Sequence, residues 1–218
     1  MNAGRNLRLS YSSLPPLSWL ACIAAATVAS TALGADVARV EEDWQLVVNQ
    51  PDVDLNGPQV TCVIAPSGVD DGYCAFDINY CTQPVYSAGG LQLHVWNPYT
   101  PIVTANFPAS GIMQTVGETV TWTTTMSLAN GVVTFQVVNG QSTTWGSFGG
   151  TDDEALSVNA TANDLNRYDP NVSLDNSGVS FASNLVTSLT LTAVRFYAAD
   201  GTLIQQITTP QVVHPQND

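Results

Sequence analysis

Hydrophobic and polar residues alternate along much of this chain, in short runs that turn-forming residues separate. The clearest run is 118–127, where Val, Trp and Met side chains alternate with threonines. A period of two with β-branched residues is typical of a strand that buries one face. Asn130-Gly131 follows, and this dipeptide strongly favours a tight hairpin turn. We therefore predict that 132–138 is the antiparallel partner of 118–127.

Other strand-like runs recur at the spacing of about 8–12 residues that is typical of all-β sandwiches and barrels. The further predicted strands are 60–65, 73–80, 90–97, 141–146, 156–160, 178–183, 185–198 and 202–208. Asn139-Gly140 is expected to turn the chain into the third strand of a meander. Helical periodicity is limited to one turn near Asp152, so the pattern predicts an all-β fold of two antiparallel layers.

The chain divides into four parts. Residues 1–34 have the form of a secretory signal peptide: two arginines precede an apolar run of about 13 residues, too short to span a membrane easily. A leading segment and loop occupy 35–59, with a first strand at 44–48. The sandwich domain is expected over 60–210, and 211–218 is expected to be a loose tail.

Acidic side chains dominate the charge of the chain. Eighteen Asp and Glu face five Arg and no Lys, which gives a formal net charge of −13. A nucleic-acid-binding surface needs clusters of Lys and Arg, so the composition excludes that class of partner. We expect a secreted, periplasmic or cell-surface protein without a membrane span after cleavage, and an acidic surface that is solvated or holds divalent cations.

Three cysteines follow the predicted signal peptide: Cys62, Cys74 and Cys81. A hairpin of the two strands around them places Cys62 opposite a position near Asp77. Cys74 and Cys81 lie on opposite faces of one strand because their spacing is odd. The geometry therefore predicts no disulfide framework, and the state of each thiol stays open.

Several strand phrases resemble one family of folds when they are taken in order. These are Phe76-Asp-Ile-Asn79, Gly89-Gly-Leu-Gln-Leu-His-Val-Trp96, Thr143-Thr-Trp-Gly-Ser-Phe-Gly149 and Ser188-Leu-Thr-Leu-Thr-Ala-Val-Arg-Phe-Tyr197. The set is similar to the concanavalin A-like or laminin-G-like jelly-roll sandwich, and it resembles exported acidic bacterial proteins. The resemblance implies an antiparallel jelly roll and favours carbohydrate binding, but it transfers no catalytic residues.

Two kinds of polysaccharide-active enzyme use this architecture. Jelly-roll glucanases place Glu-x-Asp-x-Glu on one strand, and none of the four glutamates, Glu41, Glu42, Glu118 and Glu154, has that spacing. Glu118 and Glu154 stay open as a pair, with solvated loop carboxylates as the alternative. Gln92-Leu-His94 suggests the strand of a polysaccharide lyase, but the cations that would hold an acidic sugar are scarce.

One strand carries the best candidate binding face. In the sequence Leu-Gln-Leu-His-Val-Trp the apolar residues are expected to face the core, which turns Gln92, His94 and Trp96 to the other side. An indole stacks on sugar rings, and the amide and imidazole bind hydroxyls. Trp122 and Trp145, on the neighbouring meander, are candidates to join this face. The alternative interpretation is that these tryptophans are core residues.

Calcium is the only candidate cofactor. Asp52, Asp54 and Asn56, followed by Gly57, match the first half of a calcium-binding loop. The twelfth position is Val63, where a bidentate carboxylate is expected. A polar turn rich in Asp, Asn, Gly and Pro is the alternative interpretation.

These observations together predict a non-enzymatic β-sandwich module that binds a carbohydrate or another surface component. The first alternative is a polysaccharide-active glycoside hydrolase or lyase on the same fold. The second alternative is a structural module of an envelope or matrix. A glycan or surface polymer is the expected partner.

Overall fold

The computed structural model describes residues 34–49, 58–80, 90–97, 99–107, 115–144, 146–150, 155–180 and 182–215. The strands are β1 (Arg39–Val48), β2 (Gln59–Ile64), β3 (Tyr73–Tyr80), β4 (Gly90–Trp96), β5 (Pro101–Phe107), β6 (Thr119–Ala129), β7 (Val132–Ser142), β8 (Gly146–Phe148), β9 (Ala155–Asn159), β10 (Gly178–Ser180), β11 (Val186–Tyr197), β12 (Leu203–Ile207) and β13 (Gln211–Pro215). One helix, α1 (Pro170–Asn176), precedes β10.

The strands form two antiparallel sheets that pack face to face. The large sheet has eight strands in the order β12-β11-β1-β6-β7-β8, and β13 also pairs with β11 while β9 also pairs with β7. The small sheet has the order β10-β2-β3-β4-β5. This arrangement confirms the predicted all-β, two-sheet sandwich.

The core lies between the sheets and follows the alternation in the sequence. Burial in β1 alternates along all ten residues. Trp44 of β1 stacks on Trp122 of β6, with ring centroids 6.4 Å apart, and Phe76 of the small sheet meets Trp122 edge-on at 5.6 Å. Burying each of these rings stabilises the fold by about 3 kcal/mol, so this trio joins the two layers.

The predicted turn at Asn130-Gly131 is confirmed, and the one at Asn139-Gly140 is wrong. Asn130 and Gly131 have φ of 52° and 73° between β6 and β7, as a type I′ turn requires. β7 instead runs through Asn139-Gly140, which form a bulge opposite Trp122. A Cβ on Gly140 would lie 2.5 Å from the ring of Phe148, so glycine lets that ring pack against the bulge.

Both ends of the domain differ from the prediction. The segment 35–59 contains the ten-residue β1, which lies between β11 and β6 in the large sheet rather than leading into the fold. The expected loose tail contains β13, which pairs antiparallel with β11. The first half of β1 contains acidic residues that are not typical of strands. Glu41 and Asp43 lie on its outer face and bind Arg195 there.

Two further elements were not expected. β5 completes one edge of the small sheet. α1 has Asp169 as its N-cap, whose carboxylate accepts a hydrogen bond from the backbone N–H of Asn171, and Pro170 occupies the first turn. At seven residues this helix is too short to give a periodic signal in the sequence.

Cys62 and Cys74 are free thiols on the core face of the small sheet. Cys62 pairs with Phe76 and Cys74 with Ile64, so the expected pairing of Cys62 near Asp77 is displaced by one residue. Burial raises the pKa of both thiols, which keeps them protonated. Cys81 lies outside the described residues.

Candidate functional site

A cleft of about 570 Å³ lies on the outer face of the small sheet. We call it the Asp77 cleft. Alternate residues of β2, β3 and β4 form its floor, because the residues between them face the core. The floor and walls include Thr61, Tyr73, Ala75, Asp77, Gln92, His94, Trp96, Tyr99 and Thr104.

Asp77 lies at the centre of this floor, on β3. Thr61 of β2 and Gln92 of β4 are its direct neighbours across the sheet. The Thr61 hydroxyl donates a hydrogen bond to Oδ1 of Asp77. Only 2% of the Asp77 side chain is exposed, so the carboxylate depends on such partners to offset its desolvation.

His94 supplies the second partner of this carboxylate. Its Nε2 lies 2.8 Å from Oδ2 of Asp77. His94 is directly opposite Ala75, and the small Ala75 side chain leaves room for the imidazole to reach along the strand to Asp77. An imidazole held by a carboxylate both donates and accepts protons, so the pair is able to act in general acid–base catalysis.

Aromatic rings form one wall of the cleft. The rings of Tyr73 and Trp96 stack with centroids 6.2 Å apart, and His94 meets Trp96 edge-on at 5.3 Å. Burial, and then the negative charge of Asp77, raises the pKa of Tyr73 above its usual value of 10, so its phenol keeps its proton. Tyr99 stands at the rim with 82% of its surface exposed.

A second buried carboxylate, Glu42, lies inside the sandwich. It accepts hydrogen bonds from Trp44 Nε1 at 3.0 Å, from the Tyr168 hydroxyl at 2.6 Å and from the Ser173 hydroxyl. Burial raises the pKa of Glu42 from 4.5 to about 7, although the three donors oppose that shift. The donors lie on three parts of the chain: Trp44 on β1, Ser173 on α1 and Tyr168 in the segment before α1. The cluster therefore connects β1 to α1 and to the segment that precedes α1.

The outer face of the large sheet carries an ion-pair cluster. Arg195 binds Asp43 with both terminal nitrogens and Glu41 with Nε, and the Tyr197 hydroxyl donates to Glu41 at 3.0 Å. The hydrogen bond to Asp43 raises the pKa of Arg195 most. Each charge is matched within the sheet, so we assign the cluster to stability.

The structure brings together three of the predicted binding residues. Gln92, His94 and Trp96 share one face of β4, as the alternation indicates. Gln92 and His94 are not an exposed platform, however, because only 4% and 9% of their surfaces are accessible. Trp122 does not join them: it faces the core of the large sheet with 2% exposure.

Five other predicted residues lie outside the described residues: Trp145, Glu154 and the calcium candidates Asp52, Asp54 and Asn56. Glu118 is buried rather than a solvated loop carboxylate, and it accepts a hydrogen bond from Ser142 at 2.9 Å. Within the described ranges no group of three or more His, Cys, Asp or Glu is placed to hold a metal ion.

Three residues that complete the site were not among the predicted site residues. Asp77, Tyr73 and Thr61 lie on strands that were predicted from the sequence, β2 and β3. The signal was present, because Asp77 stands between Phe76 and Ile78 as Gln92 stands between two leucines. A polar residue between core positions on each of two neighbouring strands indicates that the two residues lie on one polar face of the sheet.

Comparisons with known proteins give few relatives. The chain matches no protein-family model and no curated protein. It is similar to a crystal structure of scytalido-glutamic peptidase with a peptide-based transition state analog, at 12% identity and a TM-score of 0.36, over 85% of this chain and 86% of that chain. A second structure of that peptidase, with a transition state analog inhibitor, gives 13% identity and a TM-score of 0.30 over the same shares.

The predicted non-enzymatic carbohydrate-binding function is wrong. None of the comparisons above gives that role support. The site itself contradicts its physical premise, because Gln92 and His94, which were expected on an open sugar platform, are buried, and His94 pairs with the Asp77 carboxylate. Among the residues described, no helix is long and apolar enough to cross a membrane.

Proposed function

We propose that this protein is a hydrolase that cleaves a neutral polysaccharide by general acid–base catalysis in the Asp77 cleft. One observation carries the proposal: the buried Asp77–His94 pair, with 2.8 Å between Nε2 and Oδ2, lies on the floor of an open cleft. Burying a carboxylate and an imidazole costs free energy. Such pairs in clefts therefore concentrate at functional sites.

The walls of the cleft favour a polysaccharide. Trp96, Tyr73 and Tyr99 offer flat apolar rings for sugar faces. Gln92 and Thr104 add polar groups of the kind that bind hydroxyls.

The charge of the cleft favours a neutral polymer. Among the described residues, those that line the cleft include Asp70 and Asp77 but no Arg or Lys. An acidic polysaccharide would be repelled here, and elimination from a uronic acid would lack a cation to stabilise the developing negative charge. Addition of water is therefore the reaction that suits this site better than elimination.

One group accepts a proton from water in this reaction, and another group donates a proton to the leaving oxygen. The Asp77–His94 pair takes a proton from a water molecule as the oxygen of that water bonds to the anomeric carbon. The glycosidic C–O bond breaks, and the Tyr73 phenol gives its proton to the leaving oxygen. The proton held by the pair then returns to Tyr73 through solvent, which restores both groups. Gln92 and Trp96 position the sugar.

The test measures the release of reducing sugar from a panel of neutral polysaccharides, namely glucans, xylan, mannan and chitin. Alginate and pectate report elimination through the ultraviolet absorbance of an unsaturated product, and unfolded casein reports peptide hydrolysis. We expect cleavage of a neutral polysaccharide, and a loss of at least about 100-fold in His94→Gln.

His214→Gln is the matched control, because His214 lies on β13 and bonds the backbone of Ser183. It should retain full activity. Cleavage of casein or of an acidic polymer alone, or equal activity of His94→Gln and the wild-type protein, overturns the proposal. Circular dichroism of both variants shows whether each one is folded.

A further inference from the structure

A second cleft, of about 530 Å³, adjoins the first. We call it the Arg167 cleft. Tyr73 and Trp96 line both clefts, so the stacked pair is a shared ridge between them. The two clefts therefore form one path that runs from the outer face of the small sheet over its strand ends.

The floor of the Arg167 cleft differs from that of the Asp77 cleft. It lies where the two sheets separate, with Val95 on one side and Phe135 and Val158 on the other. Its rim is polar and comes from the turn before β3, the end of β4 and the segment after β9. Rim residues include Asn97, Asn159, Thr161, Asn163 and Arg167.

This combination suits the hydroxyls and apolar faces of a sugar chain. Amide groups both donate and accept hydrogen bonds, and the five N–H groups of a guanidinium donate them to hydroxyl oxygens. The apolar floor suits the C–H faces of sugar rings. The Arg167 cleft has no counterpart of the Asp77–His94 pair: its only ionisable residues within the described chain are Asp71, Tyr73, Asp164 and Arg167.

We propose that the Arg167 cleft is a distal binding site for the same polysaccharide that the Asp77 cleft cleaves. A long chain crosses the Tyr73–Trp96 ridge and occupies both clefts, so the enzyme cleaves within chains rather than at their ends. The inference rests on the proposed function for the identity of the ligand, whereas the continuity of the two clefts is a property of the fold. Short oligomers fill only one cleft and lose the interactions of the other.

The test measures binding separately from catalysis. Isothermal titration calorimetry on the His94→Gln protein compares the disaccharide with the hexasaccharide in the cello-, xylo- and manno-oligosaccharide series. In at least one series the hexasaccharide should bind about tenfold more tightly or better. The double variant Asn163→Ala/Arg167→Ala, in the same background, should remove that difference. Both residues are exposed, so the double variant should fold.

Arg39→Ala is the matched arginine control, because Arg39 lies on the large sheet, beside Glu41 and over the ring of Tyr197. It should leave the length dependence unchanged. Equal affinity for short and long oligomers, or a length dependence that survives the double variant, overturns the distal site alone. Length-dependent binding without hydrolysis by the wild-type protein overturns the proposed reaction alone. Absence of binding in all three series, together with no cleavage of any neutral polysaccharide of the panel, overturns both.

Discussion

Glu42 and Asp77 are two of the three buried carboxylates among the described residues, and they lie in different places in the fold. Glu42 lies between the sheets, and its three hydrogen-bond donors all belong to the packed interior. Asp77 lies on the outer face of the small sheet, where one of its partners is a histidine and the cleft above is open to solvent. Burial alone therefore does not identify a reactive carboxylate.

The decisive difference is the partner of each group. Trp44, Tyr168 and Ser173 hold Glu42 with groups that do not titrate near neutral pH, and burial raises the pKa of Tyr168 still further. The partner of Asp77 is an imidazole, a group that both donates and accepts protons. Of these two carboxylates, Asp77 is therefore the one that pairs with a proton-exchanging group in a cleft open to a substrate.

Substitution of each carboxylate by its amide gives the largest contrast. Asp77→Asn should lower polysaccharide cleavage by about 100-fold or more, because it removes the acceptor that orients His94. Glu42→Gln should change cleavage by less than about twofold. Reducing-sugar assays on both variants measure this. Asp200→Asn, in the exposed turn between β11 and β12, is the control for the replacement of a carboxylate by an amide. Equal losses of cleavage in Asp77→Asn and Glu42→Gln would refute the distinction between the two carboxylates.

Removal of the interior carboxylate should have the larger effect on stability. Glu42→Ala leaves three buried donors without their acceptor and opens a cavity, which should lower the free energy of unfolding by about 3 kcal/mol. Urea denaturation at pH 5 measures this. Ser173→Ala removes one donor and should cost only about 1 kcal/mol. A Glu42→Ala protein as stable as the wild type would show that the cluster does not hold α1 to β1.

The pH dependence of stability sharpens the comparison further. The pKa of Glu42 is raised to about 7 in the folded state, so between pH 4.5 and 7 the folded protein binds more protons than the unfolded chain. This stability is fully present below pH 4.5 and is lost as the pH rises through 7, by roughly 3 kcal/mol. Urea midpoints across that range measure it. Glu42→Gln should flatten the profile, and an unchanged slope in that variant would assign the dependence to another group.

The sequence predicts the strands well where one face is apolar and the other is polar without being strongly charged. The bounds of β3 match the prediction, and those of β6 and β11 match within one or two residues, because their alternation is regular. β1 was underestimated: a first strand was predicted at 44–48, and the structure extends it back to Arg39 through consecutive acidic residues. Its outer face tolerates them only since Arg195, about 150 residues later in the chain, lies on the neighbouring strand. No local pattern contains that information.

The candidate site was partly predictable for the same reason. Alternation on β4 places Gln92, His94 and Trp96 on one face correctly. The function of that face depends on Asp77, whose approach to His94 requires the register of β3 against β4 and the small side chain of Ala75. A register is a tertiary property, so the sequence offers polar candidates but not their pairing.

The position of β1 in the large sheet also bears on how the chain assembles. Its neighbours β6 and β11 lie far ahead in sequence, with Arg39 opposite Ser127 on one side and Tyr197 on the other. A ribosome releases β11 long after β1, so β1 lacks one of its two lateral neighbours until most of the chain has been synthesised. Such high contact order makes folding slow and leaves exposed strand edges open to aggregation. A chain truncated before Val186 would keep one side of β1 unpaired, and we expect it to be a substrate for chaperones rather than a smaller stable domain.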